Sequence, residues 1–251
     1  MRPNDVRGGG APMSKRFLEM SMAKLDKVFR DVACAHLKAF VPGNACPDQY
    51  VADLGQPPLT FLRRPASEAP SALAPVILIL ESPHFEEYGD RDHPVPASGR
   101  TGDGIRAHLY RALELLEGAE STELDGRPLI LANAIQYQCS LGGSEKPGIP
   151  TEFHRDSVFE RMWNLASKAA RTHFRKRLKS YVGAHQPFSP NHLEGYVVIN
   201  ACTKGKLERP LRCMVEDVVR AALPCKSHVT VEHPCNWKPR TRIRPWVYDA
   251  D

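Results

Sequence analysis

The chain has no C-x-x-C pair, although it carries seven cysteines: Cys34, Cys46, Cys139, Cys202, Cys213, Cys225 and Cys235. That spacing underlies most structural zinc sites and many iron–sulfur ligand sets, so its absence weakens the case for both. No H-E-x-x-H pair is present, no stretch repeats, and no apolar run approaches the ~18 residues a membrane helix needs. The first residues also lack the apolar stretch of a secretory signal. The expectation is a cytoplasmic protein with reduced thiols, no membrane association, no cofactor or metal and no obligate protein partner.

What is present is ordinary in amount and uneven in placement. With 251 residues, 42% of them hydrophobic and 25% charged, the chain suits one globular domain with a sizeable core. The formal net charge of +5 is modest. Lys238, Arg240, Arg242 and Arg244 concentrate positive charge near the end of the sequence, as a polyanion-binding segment would. A second basic group, Arg171, Arg175, Lys176, Arg177 and Lys179, is equally explained by a solvated helix face.

Residues 1–13, rich in Gly and Pro and poor in apolar side chains, are expected to be disordered. From Ser14, the spacing of Leu18, Met22, Leu25, Phe29 and Val32 predicts an amphipathic helix to about Phe40, and Val41 to Pro75 reads as a Pro-rich connection with little regular structure. Residues 76–251 then carry the main α/β domain. Val76-Ile77-Leu78-Ile79-Leu80 is an uninterrupted apolar run, the mark of a strand buried on both faces, and it stops at Glu81-Ser82-Pro83-His84. Three more strands are predicted: Pro128 to Ala132, ending at Asn133; Tyr196 to Asn200; and His228 to Glu232, ending at His233-Pro234-Cys235-Asn236-Trp237.

Helical spacing between the strands (Ile105, Leu109, Leu113, Leu116; then Val158, Met162, Leu165, Ala169; then Leu211, Met214, Val218, Ala222) predicts crossover helices. Strands alternating with helices imply right-handed crossovers. The expected fold is a single three-layer α/β domain with a central four-stranded, mainly parallel sheet flanked by helices. All four strands would aim their carboxyl ends the same way, so Glu81, Ser82, His84, Asn133 and His233 would converge on one crevice.

Three of these strand ends resemble the motifs of the uracil-DNA glycosylase superfamily. Leu80-Glu81-Ser82-Pro83-His84 is similar to the G-E-A-P-G form of its first turn, Leu131-Ala132-Asn133-Ala134-Ile135 to its L-L-N-x-V strand end, and His233-Pro234-Cys235-Asn236-Trp237 to its H-P-S-P loop. The resemblance covers roughly residues 74 to 240. It implies a glycosylase-like fold, DNA as partner, no cofactor, and hydrolysis of the N-glycosidic bond of a flipped-out nucleotide. On that resemblance Asn133 reads the base edge, offering a donor and an acceptor, and His233 donates to the base oxygen as negative charge leaves with it. One such donor is worth on the order of 3 kcal/mol.

Ser82 stands where the family places Asp, Asn or Ala, so the carboxylate that activates water or balances the cationic sugar would be Glu81, with Asp90 and Asp92 as substitutes. His84 stands where uracil-specific members carry a Tyr that rejects a substituted fifth carbon, and Phe85 and Tyr88 are the aromatics available to stack on a base. The expected substrate is therefore a bulky or modified pyrimidine, such as glucosylated hydroxymethylcytosine of viral DNA, in repair or antiviral defence. Trp237 would wedge into the duplex, and the basic residues after it would hold phosphates. Each residue has a structural alternative: Asn133 capping a turn, His233 satisfied by backbone, Trp237 packed in the core. A metal-dependent hydrolase using the acidic and His-rich segment from Glu81 to His93 and a catalytically inactive DNA-binding module are the competing functions.

Overall fold

The structure is a computed structural model that describes residues 15–33, 40, 45–55, 59–90, 94–116, 124–141, 149–187, 194–223, 228–237 and 243. The expected disorder of residues 1–13 and the basic residues Lys238, Arg240, Arg242 and Arg244 lie outside them. In chain order the elements are α1 (Lys15–Ala33), β1 (Gln49–Asp53), β2 (Arg64–Pro65), β3 (Val76–Leu80), α2 (Arg100–Leu113), β4 (Pro128–Asn133), α3 (Arg155–Val182), β5 (Val197–Asn200), α4 (Leu211–Ala222) and β6 (His228–Thr230). No described helix is long and apolar enough to cross a membrane.

All six strands form one mixed sheet in the order β2-β1-β4-β3-β5-β6. The four expected strands are there and mutually parallel, β3 beside both β4 and β5, and β5 beside β6. The expectation of four strands in all is corrected: β1 and β2 extend the sheet antiparallel beyond β4. They come from the Val41–Pro75 segment that reads as irregular. Backbone pairing with β4, which a Pro-rich flank hides from sequence patterning, draws this short stretch into the sheet. The segment before Val76 is thus part of the same sheet.

The strand order explains where the helices lie. From β3 the chain moves to β4 on one side, then crosses back over β3 to β5 and on to β6. Right-handed crossovers running in opposite directions must use opposite faces of the sheet. Accordingly Val76, Leu78, Leu129, Leu131 and Ile199 pack with Ile105 and Leu109 of α2, whereas Ile77, Ile79, Ala132 and Val198 pack with α1, α3 and α4. In α3 the buried face is Phe159, Trp163, Phe174 and Leu178, and Leu165, expected inward, is 46% exposed. At about 100° per residue, Leu165 stands roughly 200° round the helix from Trp163.

Two buried carboxylates pin the carboxyl ends of the strands. Asp48, just before β1, pairs with Arg177 of α3 and accepts from Tyr181 Oη (2.7 Å), Gln136 Nε2 (3.0 Å) and the Asn133 N–H (3.2 Å). Arg177 Nη2 in turn donates to the Asn133 and Ala134 carbonyls at 2.7 and 3.2 Å. Arg177 is buried, so the second basic group is not simply a solvated face. On the other side, Glu216 of α4 accepts from Asn200 Nδ2 and Thr230 Oγ1, both at 2.9 Å, and pairs with His228, tying α4 to the ends of β5 and β6. Burial alone would raise its titration, but the hydrogen bonds from His228, Asn200 and Thr230 hold the carboxyl below the ordinary range.

Removing one partner of a buried ion pair strands the other charge. Asp48→Ala is expected to lower stability by about 3–5 kcal/mol in urea unfolding, with part of the loss recovered by adding Arg177→Met.

Candidate functional site

The reversal of strand order falls between β3 and β5, and the site lies beyond their carboxyl ends, where open α/β sheets bind ligands. A cavity of about 480 Å³ opens there, within the usual range for small-molecule sites. Its walls include Glu81, Ser82, His84 and Phe85 after β3, Thr203 after β5, and His233 and Cys235 after β6.

Glu81 is buried at the floor. Its Oε2 accepts the Thr203 N–H at 3.3 Å and lies 3.6 Å from His233 Nε2, and its Oε1 lies 3.8 Å from Arg155 Nη1. The last two separations exceed a direct hydrogen bond, so carboxylate, imidazole and guanidinium face one another with capacity left for a water or a substrate atom.

Arg155, the first residue of α3, is aimed by Asp156, whose Oδ1 accepts from both Nε and Nη2 at 2.7 Å. Burial works against its charge, and Glu81 and Asp156 more than offset that.

His233 opens the short 3-10 turn Pro234–Asn236, and its Nδ1 accepts the Cys235 N–H at 3.3 Å, with Cys235 Sγ at 3.1 Å. An accepting Nδ1 places the proton of the neutral ring on Nε2, the nitrogen that faces Glu81. Burial lowers the imidazole's titration, Arg155 and Arg212 add to that, and Glu81 opposes them, so the ring is neutral at pH 7 and presents an Nε2–H donor. His84 is also lowered, first by burial. Its ring packs on Phe85 with centroids 4.3 Å apart, and Phe85 is 45% exposed at the cavity wall.

The position of the His233 turn depends on a glycine. A Cβ at Gly104, inside α2, would overlap the Pro234 carbonyl oxygen, so the turn lies directly on the helix backbone.

The structure thus brings Glu81, Ser82, His84, Phe85 and His233 to one cavity, while other expected site residues stand elsewhere. Asn133 pairs in register with Leu80 at the end of β4 but is 1% exposed and not on the cavity wall. Neither Nδ2 nor Oδ1 of its amide has a partner among the described residues. Tyr88 is buried and off the wall, which corrects its expected place beside the base. Trp237 is likewise corrected: it is 5% exposed, packs in the core on the α2 side and donates Nε1–H to the Glu232 carbonyl at 2.8 Å. A wedge must be exposed, and this ring is covered by its own turn. Asp90 is exposed away from the cavity, and Asp92 lies outside the described residues. Ser82 is on the wall, its hydroxyl meeting the buried Cys139 thiol.

Sequence reading missed Arg155, Thr203, Cys235, Arg100 and Glu87 on the same wall. Cys235 carried a local signal, standing within the His233–Trp237 stretch, and Glu87 falls within the acidic and His-rich segment from Glu81 to His93. Among the described residues no three His, Cys, Asp or Glu side chains group as a metal site would require. Compared with family models, curated proteins and solved structures, the chain finds no match.

Gly104→Ala is expected to push the His233 turn off α2. Tryptophan emission should shift to the red as Trp237 is uncovered, with helical circular dichroism unchanged; an unshifted spectrum would show that the turn tolerates the methyl.

Proposed function

We propose that the protein is a DNA glycosylase that extrudes a pyrimidine, one bearing a bulky or polar substituent, and hydrolyses its N-glycosidic bond to leave an abasic site. The observation that carries this reading is the pairing of Glu81 with the neutral His233 across one cavity beyond the parallel strands. The bond breaks with negative charge on the base and positive charge on the sugar. His233 Nε2–H donates to the base as it leaves, and Glu81 balances the sugar's charge or takes a proton from the attacking water. Arg155 Nη1 stands 3.8 Å from Glu81 Oε1, a positive charge beside the carboxyl.

Asn133 supports the reading from beneath. A buried amide with both polar atoms unpartnered among the described residues is costly, on the order of 1–3 kcal/mol per group; it lies behind the wall, so the reading requires the extruded base to displace that wall before its edge meets donor and acceptor together. His84 and Phe85 form a wall that admits a substituent on the ring, with Phe85 available to stack. DNA is the partner this reading implies. Removal of such bases from viral DNA would make the activity defensive; removal of damaged bases would make it repair.

The test incubates the protein, with chelator present, with DNAs carrying uracil, thymine, hydroxymethylcytosine or glucosylated hydroxymethylcytosine. Abasic sites are scored by alkaline cleavage and free base by mass spectrometry. Release of a modified pyrimidine is expected, falling about 100-fold or more in His233→Ala and Asn133→Ala. Efficient removal of plain uracil alone would overturn the substrate class. DNA that is bound but never cleaved would replace the enzyme by a binding module.

A further inference from the structure

Cys235 has no part in the chemistry above, yet its thiol is placed to react. Of the five cysteines among the described residues, Cys46, Cys139, Cys202 and Cys213 are buried, whereas Cys235 is exposed and stands on the cavity wall. It is the middle residue of the turn Pro234–Asn236, which rests on the α2 backbone at Gly104. Its Sγ lies 3.1 Å from His233 Nδ1 and 3.6 Å from Asn236 Oδ1, so the imidazole is the nearer acceptor. Across the same ring, Nε2 lies 3.6 Å from Glu81 Oε2. That gap exceeds a hydrogen bond, as such contacts often do until a substrate closes the site.

Thiol, imidazole and carboxylate follow one another in the order of a nucleophile, its base and the group that orients the base. The tautomer agrees. Nδ1 is the accepting nitrogen and can take the thiol proton, while Nε2–H faces the carboxylate that would balance an imidazolium. Burial first, then Glu81, raises the thiol's titration, and Arg155 and Arg100 oppose them. The resting group is therefore the thiol, and the base must remove its proton during the attack. Arg155 and Arg100 share the wall, so an oxyanion formed beside Sγ would meet positive charge.

We propose that Cys235, His233 and Glu81 form a catalytic triad that hydrolyses small acyl esters through a thioester on Cys235. The activity goes beyond the glycosylase reading and does not depend on it. Sγ adds to the ester carbonyl carbon as its proton passes to Nδ1, and the carbonyl electron pair moves onto oxygen. When that pair returns, the bond to the alcohol oxygen breaks and the alcohol leaves with the proton from Nδ1. The acyl group is then held on Sγ. Water, giving a proton to Nδ1, adds to the thioester and expels Sγ, which recovers that proton. The sum is ester and water to acid and alcohol, with no oxidant or reductant.

The experiment offers the full chain 4-nitrophenyl acetate, follows nitrophenolate release from about pH 5 to about pH 9 and, after acid quenching, maps acetylated residues by peptide mass spectrometry. Turnover is expected, with acetyl on Cys235 that neutral hydroxylamine removes. Cys235→Ala should lose the adduct, and turnover should fall about 100-fold in Cys235→Ala and in His233→Ala. Cys235→Ser, the closer match in shape, should lose the thioester as well, and an unfolding temperature equal to that of wild type shows that the fall is not unfolding. Burial lowers the His233 ring's titration, Arg155 and Arg212 add to that and Glu81 opposes them, so Glu81→Gln should move the acid limb of turnover to lower pH. Acetyl confined to other side chains, turnover unchanged in Cys235→Ala, or acetyl-Cys235 that never hydrolyses would overturn the proposal, as would an acid limb unmoved in Glu81→Gln. Base release enters none of these readouts, so this proposal and the glycosylase reading fail separately.

Discussion

The buried Asp48–Arg177 pair is the constraint on which the carboxyl edge of the sheet depends. It joins the segment before β1, the last residue of β4 and the middle of α3 through a single carboxylate, which accepts from Arg177, Tyr181, Gln136 and the Asn133 backbone. Such an arrangement gains little over an apolar core of the same shape. What it adds is position: β4 ends at a set height beside β3, and α3 is held in register with it. Glu216 does the same for β5 and β6 from α4. Between these anchors β3 delivers Glu81 to the one point where strand order reverses.

Glu81 differs from the other two in how it is satisfied. Asp48 and Glu216 are enclosed by several short hydrogen bonds, whereas Glu81 has one N–H within hydrogen-bond distance and two cationic or protonatable groups standing further off. Groups held at such separations remain able to respond to a substrate or a bridging water. The same burial lowers the titration of the His233 imidazole and raises that of the Glu87 carboxyl, so one environment moves two neighbouring groups toward their neutral forms.

Legibility followed the range of the interactions. The parallel strands were readable because burial on both faces demands continuous apolar runs, and Val76–Leu80 has no other use. The crossover helices were readable from their spacing. Gln49–Asp53 was not, because Gln49, Tyr50 and Asp53 break any apolar run and only pairing with β4 makes the segment a strand. Leu165 misled because its spacing from Met162 suits a narrow stripe, while the packed face of α3 is centred on Phe159, Trp163 and Phe174.

By itself the sequence determined the α/β class, the presence and shared direction of four strands, and the placing of Glu81, Ser82, His84 and His233 at their ends, since these follow from local periodicity and from the alternation of strands with helices. The tertiary structure alone decided which side chains share the cavity. Trp237 turned into the core, Tyr88 and Asn133 fell behind the wall, and Arg155 and Glu87 came onto it. The physical reason is that a side chain beyond a strand end has no periodicity to obey; where it points is set by distant contacts, such as Pro234 on Gly104 and Ala97 on Glu87, that no local pattern encodes.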